Sequence, residues 1–193
     1  MYGESECAVV GDDRGQVASI SKLLERFRAL VSNSAGSGIG PVVQFSGWTG
    51  DAIARLAIAT RTSMEPGFED NPKVAGGLVA EPTWWGDALV RLRFESCTTD
   101  LPLHIHEQSD RCIVALEGNG MFHYADEHQD IIQSHAVALG TMLLFSRGLI
   151  HTFTAGSDGL GLLSYHAPFF AFDDRRQWTV PERARRLQPQ VGG

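Results

Sequence analysis

From Ala88 onward the chain breaks into short apolar segments separated by glycine. "ALVRLRFES" sets the pattern. Val90, Leu92 and Phe94 alternate with Arg91, Arg93 and Glu95, which is the two-residue period of a strand with one buried face. Further strand candidates lie at 101–106, 111–117, 120–125, 130–137, 141–146, 149–155 and 160–166. Gly118, Gly120, Gly140, Gly148, Gly156, Gly159 and Gly161 punctuate them. Many short strands at close spacing predict an all-β sandwich or barrel.

Before Pro72 the period is helical. Between 16 and 31, Val17, Ile20, Leu23, Leu24, Phe27, Leu30 and Val31 recur at three- and four-residue steps, forming one apolar stripe. The run "SNSAGSGIGP" ends that helix with small residues, glycines and Pro41. A weaker helical pattern covers 51–62, with Thr49 or Asp51 as its N-cap. "GSGIGP" lacks the Gly-Lys-Ser/Thr ending of a phosphate loop and reads as a flexible connection. The expected organisation is a helical extension over 1–75, a β-barrel over 76–173 and an irregular, exposed tail over 174–193. The helical stripe needs an apolar surface, on its own barrel or on a partner. A homodimer through this helix or a barrel edge is therefore an expectation.

Composition narrows the class. The 193 residues carry a net charge of −7 and are 43% apolar, enough for a sizeable core. The acidic excess gives no support for nucleic-acid or anionic-membrane binding. No segment reaches the ~20 apolar residues of a membrane span. "MYGESECAVVGDDRG" does not read as a signal peptide. The three cysteines, Cys7, Cys97 and Cys112, are odd in number and form no CxxC. No disulfide framework is expected, and the expected compartment is cytoplasmic.

"LPLHIHEQSDRCIVALEGNG" carries the chemistry. Side chains alternate across a strand, so His104 and His106 share a face opposite to Leu103 and Ile105. Two imidazoles inside a small barrel need hydrogen bonds or a metal. A third candidate, His151, follows a Ser146-Arg147-Gly148 turn in "GTMLLFSRGLIHTF" and shares its face with Leu149 and Phe153.

Over roughly 80–172 these two segments resemble the two motifs of the cupins. His104-Ile105-His106 and Gly118 match the first motif. Gly140, Ser146, Gly148 and His151 match the second, with serine where proline is usual. The resemblance implies a double-stranded β-helix, a jelly-roll barrel. It also implies a divalent transition metal on His104, His106 and His151: Fe(II) first, with Mn(II), Ni(II) or Zn(II) as alternatives. The usual glutamate ligand of the first motif falls on Arg111, one residue after Asp110. On a regular strand the two face opposite sides. Either Arg111 points inward and three histidines form the site, or a slip turns Asp110 inward as a fourth ligand, or the missing glutamate marks a metal site that has decayed. A guanidinium cannot ligate a cation, but it can hold a substrate carboxylate bidentately. Its structural alternative is an ion pair with Asp110, Glu107 or another carboxylate.

Two functions follow from the resemblance: a small-molecule dioxygenase, or a ligand-binding regulatory cupin without turnover. In either case the partner is a small molecule, carboxylate-bearing if Arg111 faces inward. Among the other histidines, His123 reads as surface or outer-sphere, His128 and His135 as solvated, and His166 as packing. Trp84 and Trp85 read as a cover for the barrel end or a subunit contact. Cys112 reads as buried and inert.

Overall fold

The structure is a computed structural model that describes residues 20–34, 50–66, 73–99, 101–125 and 131–187. Residues 16–19, Thr49, the "GSGIGP" connection, Cys7 and His128 lie outside them. In chain order the elements are α1 (Ile20–Ser34), α2 (Gly50–Ala59), β1 (Glu65–Pro66), β2 (Val74–Ala80), β3 (Ala88–Phe94), β4 (Asp110–Ala125), β5 (Ile132–Ala138), β6 (Met142–Phe145), β7 (Ile150–Ala167) and α3 (Glu182–Leu187). All strand pairings are antiparallel, in the order β1-β2-β3-β7-β4-β5, with β6 beside β4.

β4 and β7 form one long ribbon. Asp110–Gly118 pairs with Leu160–Ala167, and Gly120–Ala125 pairs with Ile150–Ala155. The register shifts at Ala115/Glu117 and again at Gly118/Gly120, where the ribbon bends. The bend requires glycine. Gly118 has φ +72°, and a Cβ there would lie 2.0 Å from the carbonyl oxygen of Gly159. One half of the ribbon lies between β3 and β6, and the other half lies beside β5. Side chains from both halves meet in one core: Ile113, Ala115, Leu160 and Leu162 from the first, Phe122, Tyr124 and Phe153 from the second. The result is a mostly β jelly roll.

Alternation along β4 divides its neighbours into two layers. Arg111, Ile113 and Ala115 face the barrel interior. Cys112, Val114 and Leu116 face outward, where Leu23, Leu24 and Phe27 of α1 and Ile53 and Leu56 of α2 cover them. Leu23, Leu24 and Phe27 of the α1 stripe are thus buried on its own barrel, with Ile20, Leu30 and Val31 partly buried against the same cluster. α1 is also fastened by charge. Arg28 donates from Nε and Nη2 to Asp87 at 2.8 and 3.1 Å, and Tyr165 Oη donates to the same carboxylate at 2.7 Å. Among the described residues no helix is long and apolar enough to cross a membrane.

Candidate metal centre

The HxH segment is held as an extended edge rather than a full strand. His104 and His151 form an isolated antiparallel bridge, exchanging backbone hydrogen bonds of 3.0 and 2.9 Å. Ile105 makes the same exchange with Thr179 of the tail, at 2.9 and 3.0 Å. Gly148 N–H donates to the His106 carbonyl at 3.0 Å, so the turn before β7 also fixes the second histidine. His104, His106 and His151 converge inside, all buried, with candidate ligand atoms within 4.8 Å of one another. Imidazole nitrogens bound to one ion at about 2.1 Å lie at most about 4.2 Å apart, a separation of the same order as this spread.

The outer hydrogen bonds decide which nitrogen faces the centre. His104 Nδ1 lies 2.9 Å from Pro102 O, His151 Nδ1 lies 2.9 Å from Leu149 O, and His106 Nδ1 lies against Gln177 O. A carbonyl only accepts, so each Nδ1 carries the proton and each Nε2 keeps its lone pair. This is the tautomer a metal requires, oriented by the same kind of second contact that metal-binding histidines use. Arg111 Nη2 also lies 3.1 Å from His106 Nδ1, but it has Gln177 Oε1 at 3.3 Å as an acceptor, which leaves His106 Nδ1–H for Gln177 O. Burial pushes His104 down to about 4, with the Arg111 charge adding to it. Burial, then neighbouring charge, holds His106 and His151 well below the usual histidine range. All three are neutral at pH 7, ready to ligate. The donor set fits a divalent transition metal.

Arg111 points inward, 1% exposed, and lines the same cavity. It donates to Ser109 Oγ and, at 3.4 Å, to the Asp110 carbonyl. Among the described residues no carboxylate pairs with it. Glu107 accepts from Thr179 Oγ1 at 2.9 Å. Asp110 faces the other way, as strand alternation requires. It accepts from Arg147 Nη2 at 2.7 Å and from the Arg147 backbone N–H at 2.9 Å. The structure therefore brings three histidines and Arg111 together and leaves Asp110 outside the group. Burial lowers the Arg111 guanidinium to about 9, still charged at pH 7.

Three further residues of the site were not singled out from the sequence as site residues. Gln177 lies in the tail expected to be exposed, yet it is buried and supplies both its carbonyl and its side chain. Ser164 and His166 share the inward face of β7 and line the cavity. An i, i+2 pair on a strand that also faces Arg111 in register was the available signal. The cavity, about 30 Å³, is otherwise lined by apolar groups such as Phe94, Phe145, Phe153 and Phe172, and no carboxylate lines it among the described residues. His123 lies apart, bonded through its ring nitrogens to Ser134 and Thr154, and His135 stacks on Tyr124 at the surface.

No protein-family model matches the chain, and no curated protein matches it in sequence. Solved structures do. Capsular polysaccharide assembling protein CapF from Staphylococcus aureus aligns with a TM-score of 0.50 and 11% identity, over 62% of this chain and 34% of that one. The fold is the cupin-type jelly roll. An oxalate oxidase solved with the substrate analogue glycolate aligns with a TM-score of 0.44 and 19% identity, over 54% of each chain. KdgF from Halomonas sp. aligns at 0.41 and 18%, over 55% of this chain and 88% of that one. This chain spans about half of the oxalate oxidase and about a third of CapF. At these identities the likeness extends to the cupin fold and no further.

Proposed function

We propose that the protein is a metal-dependent small-molecule dioxygenase in which His104, His106 and His151 hold one divalent transition metal. Fe(II) is the first choice, with Mn(II), Ni(II) or Zn(II) as alternatives. One observation carries the reading: three neutral, correctly oriented imidazoles share a buried cavity with a guanidinium that has no carboxylate partner among the described residues. When bound, iron would supply the redox chemistry of oxygen insertion.

The chain's own groups do the rest. Three imidazoles bring no negative charge, and Arg111 adds a positive one, so the cavity favours an anionic substrate. Arg111 holds a carboxylate through its fork. Phe145 and Phe153 exclude water around the imidazoles. We take 76–173 as the part that carries this function, with 1–75 as its helical cover and 174–193 as a tail whose Gln177 closes the site. The cysteine pattern fits a reducing cytoplasm.

A second reading, a ligand-binding cupin without turnover, is favoured by the arginine in place of the glutamate. Anaerobic loading of metal-free protein with Fe(II), followed by an oxygen-electrode screen of thiols, catechols, gentisate-like acids and diketones, separates the two. Metal-dependent O₂ uptake that His151→Ala abolishes supports the dioxygenase. Stoichiometric binding without uptake replaces it with the regulatory reading.

A further inference from the structure

Two buried residues in the cavity have side-chain polar atoms with no hydrogen-bond partner among the described residues. His166 is 1% exposed and Ser164 is fully buried, yet both His166 ring nitrogens and Ser164 Oγ lack a hydrogen bond. Buried polar groups in folded proteins are nearly always paired, so three unpaired atoms on one strand face call for an external partner. Their place in the fold tells where that partner sits. His166 is the register partner of Arg111 across the β4–β7 ladder, and Ser164 lies two residues before it on the same inward face. Both line the cavity that His104, His106 and His151 also line.

The chemistry of the unpaired atoms describes the ligand. Burial, reinforced by the Arg111 charge, holds His166 well below the usual histidine range, so the ring is neutral. A neutral imidazole offers one N–H donor and one nitrogen acceptor, and a serine hydroxyl offers either. A carboxylate only accepts. It can satisfy Arg111, the His166 N–H and Ser164 Oγ–H, but it leaves the second His166 nitrogen unpaired. A ligand that satisfies the whole set carries a hydrogen-bond donor beside its carboxylate, and a hydroxyl is the simplest neutral one.

We propose that Ser164 and His166, together with Arg111, form a subsite for the hydroxyl-bearing end of a short hydroxy acid. This rests on the reading of Arg111 as the carboxylate ligand, and it assigns His166 the recognition of the hydroxyl.

The test is calorimetry of lactate, propionate and lactamide against metal-free and Zn(II)-loaded protein. Lactate is expected to bind once per chain, at least tenfold more tightly than propionate, and lactamide at least tenfold more weakly than lactate. In His166→Phe the lactate-to-propionate ratio should fall below about twofold while zinc content stays unchanged. His166→Gln, which keeps a donor and an acceptor, should regain part of it. Arg111→Met should remove the lactate-to-lactamide ratio instead, so the two readings fail separately. If His166→Phe does not fold, ¹⁵N shifts of the His166 ring in wild-type protein serve the same end, moving with lactate and not with propionate. Equal binding of lactate and propionate, an unchanged ratio in His166→Phe, or no binding of either acid to either form overturns the proposal.

Discussion

Lowering the pH from 7.5 to 5.5 should remove much of the stability of the metal-free protein. His104, His106, His151 and His166 are all buried, and burial pushes each below its ordinary value of about 6.5, His104 to about 4. Above 6.5 both folded and unfolded chains hold these rings neutral. Below it the unfolded chain takes up protons that the folded chain refuses, so stability falls with pH until the folded values are reached. At pH 5.5 each ring contributes a loss of about 1.4 kcal/mol relative to pH 7.5, or about 5 kcal/mol for the four. That is comparable with the whole stability of many domains. Urea unfolding followed by tryptophan fluorescence at pH 7.5, 6.5 and 5.5 reads it as a midpoint shift of about 2 M. His166→Gln should reduce the pH dependence by about a quarter. A midpoint that is flat or rises over this range would refute the account of neutral, buried imidazoles.

Two other outcomes follow from the packing and the charges. Asp110→Ala should leave metal content unchanged and cost less than about 1 kcal/mol in urea unfolding, because its partner Arg147 is 57% exposed. Phe27→Ala should cost about 3–5 kcal/mol in the same assay, because its ring is 1% exposed between α1 and the barrel sheet and the surrounding strands cannot collapse into the gap.

Much of the barrel was legible because period two is printed directly in segments such as Ala88–Phe94. The centre was legible for the same reason: His104 and His106 must share a face, and Arg111 and Asp110 must not. Strand continuity was harder to read. The candidates at 111–117 and 120–125 are one strand, and so are those at 149–155 and 160–166. The glycines between them read as turns, but they serve as bends in a continuous ribbon. β2 escaped because "VAGGLVA" shows no alternation. A Cβ on Gly77 would lie 2.1 Å from the Ser63 carbonyl, so a close backbone approach removes the side chain that would have marked the strand. The tail escaped because its role is carried by one buried glutamine and by the backbone of Thr179, neither of which has a periodic signature. It also forms the short helix Glu182–Leu187 around the buried Ala184.

The metal content of tag-free protein, measured by inductively coupled plasma mass spectrometry after equilibration with Fe(II) or Zn(II) and desalting, tests the central claim most directly. The account predicts one ion per chain in wild type, loss of that ion in His104→Ala, His106→Ala and His151→Ala, and its retention in His166→Gln. Equal metal in His104→Ala and wild type, or no retained metal in wild type at all, would contradict it.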